Sequence, residues 1–81
     1  MKILLVEDEG KTAEFVAKGL TEHGFVVDVA ADGEEGLFRA QSQTYDLIVL
    51  DVMIPKMDGW QVLRELRKTD TKTMTMFLTA R

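Results

Sequence analysis

The chain has 81 residues, no cysteine, one proline and six glycines, with 46% hydrophobic and 30% charged residues. This length fits one small domain, and the composition excludes disordered, collagenous and disulfide-stapled classes. A net charge of −4 argues against nucleic-acid binding through phosphate neutralisation, and no apolar run approaches the roughly 18 residues of a membrane span.

Residues 2–6 (Lys2-Ile3-Leu4-Leu5-Val6) form a short apolar run, as expected of a strand buried on both faces. Acid follows at Glu7, Asp8 and Glu9, too early for a secretory leader, so the expected location is cytoplasmic. From Lys11 to His23 the apolar Ala13, Val16, Ala17 and Leu20 share one helical face, and Gly24 stops the helix. Phe25 to Ala30 reads as a second strand, and Asp32-Gly33 as a turn. A helix over 33–42 contributes Leu37, Phe38 and Ala40 to the core. Asp46 to Asp51 is a third strand, and the loop to Met57 contains Pro55. Asp58 can cap a helix reaching Lys68, with Val62, Leu63 and Leu66 inward, before a fourth strand over 74–79. Alternating strands and helices imply an α/β fold with a parallel sheet.

The charge is uneven. Residues 1–50 hold 4 basic and 10 acidic side chains, and residues 51–81 hold 6 and 4. In an open parallel sheet, reactive groups gather where the strands end. Glu7 and Asp8 follow the first strand, Asp51 ends the third and Thr79 the fourth. Taken singly, Asp8 would serve as a helix cap, Asp51 as a loop acid and Thr79 as an ordinary strand residue. Their joint place at one sheet edge favours a site. Two carboxylates about 5 Å apart repel by about 3 kcal/mol at an effective dielectric near 20. A hard dication relieves that cost, and an all-oxygen donor set favours Mg²⁺ over zinc. The single histidine, His23, sits at the far end of the first helix and reads as a surface residue.

These residues resemble the receiver domain of bacterial two-component response regulators. The resemblance rests on Val6-Glu7-Asp8, Asp28 to Gly33, Tyr45 to Asp51, Met53, Pro55, Asp58-Gly59 and Leu78-Thr79-Ala80-Arg81, and covers the whole chain. Lys18-Gly19-Leu20 and Gly59-Trp60 are most similar to regulators of the winged-helix, OmpR/PhoB type. The implied fold is flavodoxin-like (CheY-like), a doubly wound parallel sheet with strand order 2-1-3-4. The resemblance makes Asp51 the acceptor of a phosphoryl group from a sensor histidine kinase. Glu7, Asp8, Asp51 and the Met53 backbone carbonyl would arrange Mg²⁺. Thr79 would hydrogen-bond the phosphoryl group and switch orientation, and the Ala80 amide would donate to it. Pro55 and Gly59 would shape the adjoining loop. The domain would be a phosphoacceptor rather than an enzyme, regulating transcription through a C-terminal DNA-binding domain.

The sequence ends before the fourth helix, fifth strand and fifth helix that a receiver normally has, and so before the lysine expected on that strand. Lys56, Lys68 and Lys72 do not occupy its place. This truncation predicts impaired phosphoryl transfer, apolar surface left open at Leu4, Val6, Ile48 or Leu50, and self-association through the fourth-strand edge. The competing function is an interaction or dimerisation module that keeps the fold without phosphorylation. A flavodoxin-type FMN site is disfavoured because Glu7-Asp8-Glu9 would repel a phosphate. A haloacid-dehalogenase-type phosphatase would need an Asp where Met53 stands.

Overall fold

The computed structural model describes residues 1–78. The elements run β1 (Lys2–Val6), α1 (Gly10–Glu22), β2 (Val26–Ala30), α2 (Gly33–Ser42), β3 (Leu47–Asp51), α3 (Gly59–Arg67) and β4 (Met74–Leu78). Their order is the expected alternation, and the ends differ by a residue or two for local reasons. The Phe25 amide donates to the Leu20 carbonyl at 3.2 Å, which ties Phe25 to the end of α1. Gly24 turns the chain there with φ 89°, a left-handed backbone that favours glycine. Asp58 caps α3 in a reciprocal capping box with Gln61. Lys68 is the C-cap of α3 rather than its last turn.

The four strands pair in parallel in the order β2-β1-β3-β4, as predicted. Successive side chains on a strand point to opposite faces. Ile3, Leu5 and Val49 pack with Ala13, Val16, Ala17 and Leu20 of α1. Leu4, Val6, Ile48 and Leu50 pack with Ala40, Val62 and Leu66 of α2 and α3.

That division corrects two expectations. Leu4, Val6, Ile48 and Leu50 are sealed under two helices, not open to solvent. In the sheet's α1 face the exposed apolar side chains include Met74 and Met76 of β4, which pair in register with Leu47 and Val49. Phe38 also turns outward and is 69% exposed, while its neighbour Leu37 packs on the core. On the far side of β4, no further strand pairs among the described residues.

Candidate functional site

The parallel register brings the ends of β1 and β3 side by side, with Val6 opposite Leu50. Glu7 leaves β1 still tied to the sheet, its amide donating to the Ala30 carbonyl at 3.0 Å. Glu9 caps α1 by accepting the Thr12 amide at 2.8 Å. Asp8 therefore does not cap the helix, and its carboxyl sits beside Glu7 instead.

Glu7, Asp8 and Asp51 converge. Each offers a carboxylate oxygen, and these oxygens lie within 4.8 Å of one another. Glu7 and Asp51 are buried, at 3% and 2% exposure, while Asp8 opens to solvent. Burial holds the Glu7 carboxyl above its ordinary pKa, and the neighbouring Asp51 and Asp8 carboxyls push the same way. The Glu9 amide, donating to Glu7 Oε2 at 3.1 Å, opposes that rise.

Asp51 Oδ1 accepts the Met53 amide at 3.2 Å. Its other oxygen, Oδ2, is buried and has no hydrogen-bond partner. A buried carboxylate oxygen without a donor is costly to leave unpaired. Oxygen donors in a part-open cluster fit a hard dication of the Mg²⁺ kind, and the orphaned oxygen is where one would be needed. A cleft of about 430 Å³ opens beside the cluster, lined by Asp8, Val52, Met53, Ile54, Pro55 and Asp58. A larger hollow of about 520 Å³ lies along α1, among Phe15, Leu20 and His23, and none of the three acids lines it.

Lys56 and Lys68 pair with acids outside this cluster, Lys56 with Asp32 at 3.6 Å and Glu34 at 3.9 Å, and Lys68 with Glu65 at 2.9 Å. Pro55 accepts the Gly33 amide at 3.1 Å, so the loop after β3 docks on the start of α2. Thr79 and Ala80, assigned to phosphoryl binding, lie outside the described residues. Leu78, just before them, pairs in register with Asp51. Sequence reasoning missed the Trp60–Phe77 ring contact, with centroids 4.4 Å apart, although the Asp58 cap already placed Trp60 in the first turn of α3.

The family model described as the response regulator receiver domain matches residues 3–81. The chain belongs to that family. This receiver domain is 54% identical over 81 residues to the transcriptional activator protein IrlR of Burkholderia pseudomallei strain 1026b, covering 100% of the chain and 35% of that protein. It is 50% identical over 80 residues to the transcriptional regulatory protein CusR of Escherichia coli K12, covering 99% and 35%. The chain therefore spans about a third of the length of these curated relatives. Among solved structures it resembles the response regulator TrrA of Thermotoga maritima, a complex with Mg²⁺-BeF, at 38% identity and a TM-score of 0.94. That likeness covers 99% of this chain and 70% of the other. The Francisella response regulator 1452 receiver domain superposes with a TM-score of 0.93 at 39% identity, over 98% of this chain and 65% of the other. The strand order 2-1-3-4 implied by the resemblance is thus the order observed, and the fold matches solved receiver domains. Among the described residues, no helix is long and apolar enough to cross a membrane.

Proposed function

We propose that this receiver domain accepts a phosphoryl group on Asp51 from a phosphohistidine of a sensor kinase. The observation that carries the reading is the buried, partnerless Oδ2 of Asp51 beside two further carboxylates. An Asp51 carboxylate oxygen forms the new bond to phosphorus. The bond from phosphorus to the histidine nitrogen breaks, its electron pair stays on that nitrogen, and Asp51 becomes an acyl phosphate.

Glu7, Asp8, Asp51 and the Met53 carbonyl are the groups that would hold Mg²⁺, which supplies positive charge against the repulsion between carboxylate and incoming phosphate. The chain's own contributions are placement and shielding. The Met53 amide fixes Asp51 Oδ1, and β3 holds the carboxylate at the sheet edge. Asp8 keeps one side of the cluster open to water and ions. Thr79 and Ala80 are assigned the phosphoryl contacts.

In this reading the domain is a cytoplasmic phosphoacceptor rather than an enzyme. Its output is transcriptional control through a C-terminal DNA-binding domain, in keeping with relatives that are transcriptional regulators of greater length. Its partner is the kinase. A small phosphodonor such as phosphoramidate, with Mg²⁺, should add one phosphoryl group by intact mass, and none to Asp51→Asn. A wild-type chain that is folded but neither binds Mg²⁺ nor takes up the label would favour the interaction-module reading instead.

A further inference from the structure

Helix α2 begins against the loop that walls the acid cleft. The Gly33 amide donates to the Pro55 carbonyl at 3.1 Å, and the Met57 amide donates to the same oxygen at 2.8 Å. The second bond closes a tight turn around Lys56, whose φ of 72° lies in the left-handed region that favours glycine. Lys56 reaches back across the seam to Asp32 and Glu34, at 3.6 and 3.9 Å. A Cβ added to Gly33 would lie 2.0 Å from the Met57 carbonyl oxygen and 2.7 Å from its carbonyl carbon. The seam has no room for even a methyl group. The turn over 55–57 and a larger residue at position 33 therefore exclude one another.

The helix side of this seam is firmly seated. A Cβ at Gly36 would meet the Val6 side chain at 2.8 Å, Leu37 and Ala40 pack on the core, and Asp32 caps the helix through the Glu35 amide at 2.8 Å. The displacement therefore falls on the loop, which is the part that carries the site. Pro55 and Met53 line the cleft beside Asp8. The Met53 amide holds Asp51 Oδ1 at 3.2 Å, and Ile54, between Met53 and Pro55, is buried in the core. With Ile54 pinned there the segment has little slack, so a turn pushed off α2 is taken up in the backbone of residues 53–55.

We infer that Gly33 is a positioning residue for the cation cleft: by carrying no side chain it lets the turn over 55–57 seat on α2, and so sets the backbone of Met53 and Pro55 beside Asp51. The inference rests on the reading of Glu7, Asp8, Asp51 and the Met53 carbonyl as the Mg²⁺-holding groups. It goes beyond that reading by naming a residue outside the cluster that sets the carbonyl's place. The three carboxylates follow β1 or end β3, so they do not depend on the seam. Mg²⁺ demands near-ideal octahedral geometry, and a shifted fourth oxygen therefore weakens its binding.

The test compares the whole chain with Gly33→Ala and with Tyr45→Phe, which loosens the sheet at the end away from the site. Amide NMR of the metal-free chain reads the loop, urea unfolding reads stability, and a Mg²⁺ titration reads affinity. Gly33→Ala should move the amides of residues 53–57, except the proline, before any metal is added, and should bind Mg²⁺ about tenfold more weakly. Tyr45→Phe should lose stability while its Mg²⁺ affinity stays within about twofold of wild type. A wild type that binds Mg²⁺ beside a Gly33→Ala chain that binds it equally well would overturn the inference alone. So would shifts confined to α2, or a Tyr45→Phe chain that loses as much affinity as Gly33→Ala. If Gly33→Ala does not fold, Lys56→Gly and Lys56→Val decide, since both remove the ammonium and only glycine accepts a φ of 72° freely. Lys56→Val should bind Mg²⁺ at least about threefold more weakly than Lys56→Gly, and equal affinities would overturn the inference. A wild type without saturable Mg²⁺ binding would overturn the cation reading and this inference with it.

Discussion

Tyr45 shows how much one side chain can settle at the end of the sheet opposite the site. Its hydroxyl donates to Asp28 Oδ2 at 2.6 Å, which links the start of β3 to β2 across β1. Lys2 adds its ammonium over the ring, 5.2 Å from the centroid. Burial first, and the Asp28 carboxylate second, push the Tyr45 phenol up to about 12. A raised folded-state pKa favours the neutral phenol, so its contribution is complete below the ordinary value of 10.0 and is lost as pH rises towards about 12. Tyr45 is the only tyrosine, so ultraviolet phenolate absorbance reads it directly. The titration midpoint should lie near 12, and Asp28→Ala should move it back towards 10.0. Removing that acceptor should also cost about 1–3 kcal/mol in urea unfolding. A wild-type midpoint at 10.0 would mean that the phenol is solvated.

At the scale of elements, the loop from α3 to β4 is pinned by its own polar groups. Arg67 donates to the Asp70 carbonyl at 3.0 Å as well as to Thr73, and Asp70 accepts the Lys72 and Thr73 amides at 2.9 and 3.0 Å. Arg67→Met should cost about 1–3 kcal/mol by urea unfolding, because two carbonyls lose a charged donor. The Thr73 hydroxyl, with the two amides, holds the Asp70 carboxyl at about 2. A lowered carboxyl pKa stabilises the fold above the ordinary value of 3.8, and that contribution is lost as pH falls towards about 2. Asp70→Asn should flatten this part of the acid-unfolding curve, and an unchanged curve would contradict the assignment. None of these contacts was legible in the sequence, where Thr69 to Thr75 reads only as polar lead-in. The seven elements were legible, because apolar periodicity and caps such as Asp58 act locally. Both faces of β1 and β3 are apolar, however, so alternation alone could not say which face two helices share. That is why Leu4 and Leu50 were misplaced. The Phe38 error has a similar root: α2 is short, and Leu37 and Ala40 already fill its inward stripe. At the site, Asp8 taken singly reads as the cap of α1, and the chain's path gives that role to Glu9.

For the whole molecule, the sheet has one consequence that local structure lacks. It gathers carboxylates from residues 7, 8 and 51 at one edge and buries two of them, and among the described residues no lysine or arginine forms a salt bridge with them. Such an arrangement is costly in the free chain and gains stability from any dication that binds the folded form alone. Glu7 and Asp51 supply the buried oxygens, and Asp8 supplies the exposed one, where an ion would enter and leave. The most direct check is a Mg²⁺ titration of the folded chain, followed by the amide NMR shifts of residues 7–9 and 51–53. The predicted result is a single saturable transition confined to those amides, with affinity at least about tenfold weaker in Asp8→Asn. Shifts that never saturate, or an Asp8→Asn chain that binds as tightly as the wild type, would contradict it.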